Sequence, residues 1–107
     1  MLNEIMGQAQ ELVRLVDYQA GAIVSKEVLK KKTGTLTLFA FDAGQGLSEH
    51  TAPFDAFVYV FDGMGEITLA GKTHVLKAGQ SIIMPANQPH SVKAAQKFKM
   101  LLALLKD

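Results

Sequence analysis

The sequence predicts an all-β protein, a closed barrel or sandwich preceded by a short N-terminal helix. Three observations predict it. From residue 22 onward the chain is a succession of short β-branched and aromatic runs, such as TLTLFAF over 35–41 and FVYVF over 57–61. Glycine, proline and asparagine separate those runs at near-regular spacing, the pattern of a sandwich or barrel. No helical pattern lies between the runs, which excludes a parallel α/β sheet.

In chain order, residues 3–16 show helical periodicity, with Ile5, Met6, Ala9, Leu12, Val13 and Val16 at spacings of three and four. Asn3 is the expected N-cap, Glu4 suits the positive end of the helix dipole, and Gly21 marks the exit. Strands are then expected at 22–29, 35–41, 47–52, 57–61, 66–69, 73–76, 81–84, 90–92 and 98–105, nine in all. Gly34, the Gly44–Gly46 pair, Pro53, the Asp62-Gly63-Met64-Gly65 stretch, Gly71, Gly79 and Pro85 to Pro89 supply the breaks.

Length and composition bound the function. The 107 residues fit one domain, with the helix at about 3–16 and the barrel at about 22–106. At 49% hydrophobic residues a core forms without staples, and the lack of cysteine excludes disulfides, thiolate zinc sites and thiol catalysis. A net charge of +1, with one short basic run at Lys30-Lys31-Lys32, argues against a nucleic-acid partner. No signal-peptide pattern opens the chain, and no apolar stretch nears the ~20 residues that span a bilayer, so no membrane partner and a cytoplasmic location are expected. No phosphate-binding glycine loop or nucleophile elbow is present.

Two stretches carry a more specific signal. Gly44, His50, Ala52, Ala56 and Gly63 follow one another with five, one, three and six residues between them. Gly79, Pro85, Asn87 and His90 follow with five, one and two residues between them. These spacings resemble the two motifs of the cupin superfamily, specifically its small single-domain conserved-barrel members. The resemblance implies a cupin-type double-stranded β-helix, a jelly-roll barrel that in many members holds a divalent metal through three histidines and a glutamate. Here Ala52 stands in the second histidine slot and Ala56 in the glutamate slot. Asn87 replaces a motif glycine, and asparagine tolerates the left-handed backbone expected there. Ala94 replaces the final asparagine.

Strand alternation and the resemblance together place His50, His90, Ala52, Ala56, Val58 and Met84 around a pocket whose metal set is half lost. Asp55 is the candidate third metal ligand, if a bulge after Pro53 turns it inward beside His50 and His90. Iron, manganese, zinc, nickel or copper is then the candidate cofactor; no cofactor is required otherwise. Without metal, the two imidazoles would grip a polar group such as a carboxylate or enolate, or act as acid and base. His74, between the motifs, is expected on the sheet surface; Glu49 is expected on the outer face, and Asp62 in a turn. Phe39, Phe41, Phe57, Tyr59 and Phe98 are expected in the core or pocket wall.

Three functions fit this reading. The first is a small-molecule-binding barrel with His50 and His90 in the pocket. The second is a metal-dependent enzyme of dioxygenase, isomerase or decarboxylase type using His50, His90 and Asp55. The third is a dimeric structural or interaction module. Whether the chain is an enzyme stays open. The resemblance implies a homodimer in each case.

Overall fold

The computed structural model describes residues 5–106. Its strands are β1 (Ile23–Lys31), β2 (Gly34–Phe41), β3 (Gly46–His50), β4 (Asp55–Leu69), β5 (Lys72–Lys77), β6 (Ser81–Met84), β7 (His90–Lys93) and β8 (Phe98–Leu105). Every pairing is antiparallel, in the order β1-β2-β8-β4-β7-β3, and β5 and β6 also pair with β4. The expected all-β barrel is present. No helix among the described residues is long and apolar enough to cross a membrane.

The curl of the sheet depends on β4. Its first half, Asp55 to Gly63, pairs with β8 and β6; its second half, Met64 to Leu69, pairs with β5 and β7. The register slips between Val60 and Asp62, so one 15-residue strand bends and serves both sides of the barrel. The nine expected strands are therefore eight among the described residues, because Asp62-Gly63-Met64-Gly65 is a bend and not a turn. Gly63 takes φ 71°, and a β-carbon there would overlap the Lys97 carbonyl oxygen. A β-carbon on Gly65 would overlap the ring of Phe98, which stacks on Phe41 at 4.8 Å and 2° between planes.

Alternation divides the side chains between two clusters. Inside the barrel lie Phe41, Ala56, Val58, Val60, Ile67, Leu76, Met84, Val92, Phe98 and Met100. On the outer face of β2, Leu38 and Ala40 are buried against Val16, with Leu12, Leu15 and Tyr18 packed around them. Strand β2 is thus covered on both faces, the outer one by the chain's own N-terminal segment.

That segment is not the expected helix. Asn3 and Glu4 lie outside the described residues. From Gly7, at φ 74°, the chain runs without helix except for a single 3-10 turn, Leu12–Arg14, whose N-cap Glu11 makes no side-chain capping bond. Of the apolar residues at spacings of three and four, Leu12 and Val16 meet the sheet, from a strap, whereas Met6, Ala9 and Val13 are exposed. Three bonds fasten it. Lys99 Nζ donates to Val13 O at 2.6 Å, Tyr18 Oη donates to Asp62 Oδ2 at 2.6 Å, and Gly21 N–H donates to Asp42 Oδ2 at 2.7 Å. Asp62, expected to be a turn acid, is the acceptor for Tyr18. Burial, then the Asp62 carboxylate, holds the Tyr18 hydroxyl well above the ordinary phenol range. The N–H groups of Gly21 and Ala43 hold Asp42 below the usual carboxylate range.

Candidate functional site

The pocket lies on the inner face, between β3, β7, the first half of β4, β6 and β8. Pairing of β3 with β7 puts His50 directly opposite His90, after a register slip between Leu47 and His50. The two rings meet edge to face with centroids 4.3 Å apart and planes at 66°. His90 is buried at 9% exposure, whereas His50 is exposed at the mouth.

Each ring is held by a backbone carbonyl two residues earlier. His50 Nδ1–H donates to Ser48 O at 2.8 Å, and His90 Nδ1–H donates to Gln88 O at 3.1 Å. A carbonyl only accepts, so Nδ1 carries the proton in both neutral rings and Nε2 is left as an acceptor.

Below the histidines lies a cavity of about 120 Å³. All six expected lining residues, His50, Ala52, Ala56, Val58, Met84 and His90, line it. Leu47, Val92, Met100, Leu102 and Leu104 complete the wall. The signal for the last three was in the chain: residues 98, 100, 102 and 104 share one face of a strand, and that face is the inner one. Apart from the histidine nitrogens the lining side chains are aliphatic or thioether, so the interior is apolar. His74 is half-buried opposite Ile67 on β5 and does not line the cavity. Glu49 is exposed. Phe39, Phe41 and Phe98 pack with the inner cluster, but Phe57 and Tyr59 alternate with Ala56 and Val58 and so face outward.

Asp55 is not brought to the histidines. It is exposed, and its Oδ1 accepts from Ala86 N–H at 2.8 Å. No bulge occurs at this end of β4; the slip lies between Val60 and Asp62, and plain alternation from buried Ala56 turns Asp55 outward. Its carboxylate ties the start of β4 to the loop after β6. That loop places Asn87 at φ 67°, the left-handed conformation expected of the motif glycine it replaces. Asn87 N–H in turn donates to Ala52 O at 2.8 Å.

These residues do not fit the metal that the fold family implies. No group of three histidine, aspartate, glutamate or cysteine side chains converges among the described residues. Two imidazoles fall short of the three protein ligands usual for a catalytic zinc or the two-histidine, one-carboxylate face of a non-haem iron. The methyl groups of Ala52 and Ala56 occupy the positions of the other two motif ligands.

Known proteins resemble this chain closely in fold. A family model described as the cupin domain matches residues 37–104, well over half the chain. A conserved protein of unknown function from Streptococcus pyogenes is 32% identical, with a TM-score of 0.89 over 94% of this chain and 89% of that one. A cupin 2 conserved barrel domain protein from Leptotrichia buccalis is 43% identical, with a TM-score of 0.85 over 88% of this chain and 46% of that one. A polyketide synthase CurC from Streptomyces cyaneus is 36% identical over 59 residues, which are 54% of this chain and 38% of that protein's length. The bent β4, the motif glycines and the paired histidines thus accord with the sequence comparison: the chain belongs to the cupin domain family.

Proposed function

We propose that this cupin binds a small, largely apolar molecule inside the barrel, with His50 and His90 holding its polar group. One observation carries the reading. The two motif histidines survive side by side over a 120 Å³ cavity whose other motif-ligand positions are methyl groups. With alanine at two motif-ligand positions the wall there is apolar, which favours an organic occupant over an ion. An engineered apolar cavity of about 150 Å³ takes benzene, so a ligand of roughly that size is the expected scale. Met84 and Met100 in the wall offer favourable contacts to an aromatic ring.

Fluorobenzene tests this directly. Saturable shifts of the Val58, Met84 and Met100 methyl resonances on titration are expected. Methyl groups that do not respond would contradict the reading.

A second observation favours a homodimer as the working unit. On the outer face, Leu29, Leu36, Ala103, Phe57 and Ile83 stand opposite one another across β1, β2, β8, β4 and β6. The strap does not cover this row, and Ile83 is 67% exposed. A shallow groove of about 280 Å³ lies at its β1–β2–β8 end, lined by Leu29, Lys31, Leu36, Ala103 and Leu105. The adjoining row runs Lys31, Gly34, Leu105, Asp55, with opposite charges at its two ends. A two-fold axis lying in the face along the strands and through Ala103 lays the apolar row on its own reverse, so that Leu29 of one copy meets Ile83 of the other. The occupant proposed for this face is a second copy of the chain.

A further inference from the structure

The state of the two imidazoles narrows the ligand class, an inference that rests on the pocket reading above. Both Nδ1–H groups are committed to carbonyls, of Ser48 and of Gln88. Neither Nε2 has a hydrogen-bond partner among the described residues. No buried side-chain nitrogen or oxygen there is left unsatisfied, so Nε2 of the largely buried His90 stays open to the cavity. Neutral imidazoles in this tautomer present two lone pairs and no proton. No lysine or arginine is on the cavity wall to accompany them, and no lining side chain other than the two histidines carries a polar group.

We infer that the pocket selects a neutral molecule that donates a hydrogen bond, a phenol- or enol-type hydroxyl on a small apolar body, and rejects carboxylates. A hydroxyl places its proton on one Nε2 with the second acceptor beside it. A carboxylate would bring negative charge against two lone pairs, with neither a cation nor a donating side chain to compensate its lost hydration. The same tautomer shows why a carboxylate, equally acceptable on sequence grounds, is the poorer ligand.

Three probes of similar shape separate the alternatives: phenol, fluorobenzene and benzoate, titrated at about pH 8.5, where neutral imidazole is the ordinary form. Phenol is expected to bind about 2- to 10-fold more tightly than fluorobenzene, the value of one net hydrogen bond. Benzoate should bind at least about tenfold more weakly than phenol. In His50→Ala the ratio of phenol to fluorobenzene affinity should fall, because one of the two acceptors is gone and that of His90 remains; His50 is exposed, so the barrel should fold unchanged. Long-range ¹H–¹⁵N spectra should show a protonated Nδ1 and a bare Nε2 on both rings. Equal affinity for phenol and fluorobenzene, tighter benzoate, or a proton on either Nε2 overturns the donor assignment and leaves the pocket reading standing. No saturable binding of any probe overturns both.

Discussion

At the scale of single residues, the site is decided by what Ala52, Ala56 and Asn87 are not. Two methyl groups stand where a histidine and a glutamate would complete a metal set, and the wall they form is continuous with Val58 and Met84. Asn87 keeps the backbone path of the missing glycine at φ 67°, and its N–H supports Ala52 from behind. Asn87→Gly should therefore be nearly neutral in thermal unfolding. Asn87→Ala should lose about 1 kcal/mol, the cost of a β-carbon in the left-handed region without a side chain that tolerates it. Equal stability of the two variants would show that the loop does not depend on that conformation. Much of this was legible in the sequence. The spacings of Gly44, His50, Gly63, Gly79 and His90 locate the pocket, and period-two alternation finds Ala52, Ala56 and Val58. Pro53 suggests a bulge that would turn Asp55 inward, whereas the slip in β4 lies between Val60 and Asp62. The tautomer of the histidines was not legible at all. It depends on which carbonyls curl back toward the rings, a property of the strand ends and not of residue type.

At the scale of elements, the N-terminal strap shows how a correct pattern leads to a wrong structure. Spacings of three and four describe a stripe that should meet something apolar, and only its Leu12 and Val16 do, on Leu38 and Ala40, while Met6, Ala9 and Val13 stay exposed. Periodicity cannot reveal that tertiary packing holds the stripe in a nearly helix-free path, with one 3-10 turn and a left-handed Gly7. The Tyr18–Asp62 bond gives this strap a pH signature. The Tyr18 hydroxyl titrates higher in the folded chain than in the unfolded one, so folding favours its protonated form. Its contribution is complete below the ordinary tyrosine range near ~10 and declines as pH rises above that value. Tyr18→Phe should lower stability near neutral pH by about 1 kcal/mol and flatten the loss between about pH 10 and 11.5. Urea unfolding of both proteins across that range checks it; parallel curves would mean that Tyr18 does not fasten the strap. The strand at 57–61 was similarly readable, but its union with 66–69 was not, because Gly63 and Gly65 read as a turn. Their reason for being glycine is close approach: the Lys97 carbonyl and the Phe98 ring occupy the space of their β-carbons.

At the scale of the whole molecule, one sheet face is covered by the strap over only part of its width. The strap takes the half over Leu38 and Ala40, and the row from Leu29 to Ile83 is the part proposed above for a second copy. Sedimentation should give a mass near twice 11.6 kDa for the wild type. Ile83→Lys should give a monomer with an unchanged fold, since Ile83 is exposed in the single chain. A wild type that stays monomeric at high micromolar concentration would contradict the assignment of that face. The inner face carries the central claim, that the cupin pocket of this chain serves an organic ligand and is not a metal centre. Elemental analysis of tag-free protein tests it most directly, beside His50→Ala and the Ala52→His/Ala56→Glu variant that refills both vacant ligand slots. The account predicts metal well below one equivalent in the wild type and close to one in the refilled variant. One equivalent in the wild type, lost in His50→Ala, would contradict it.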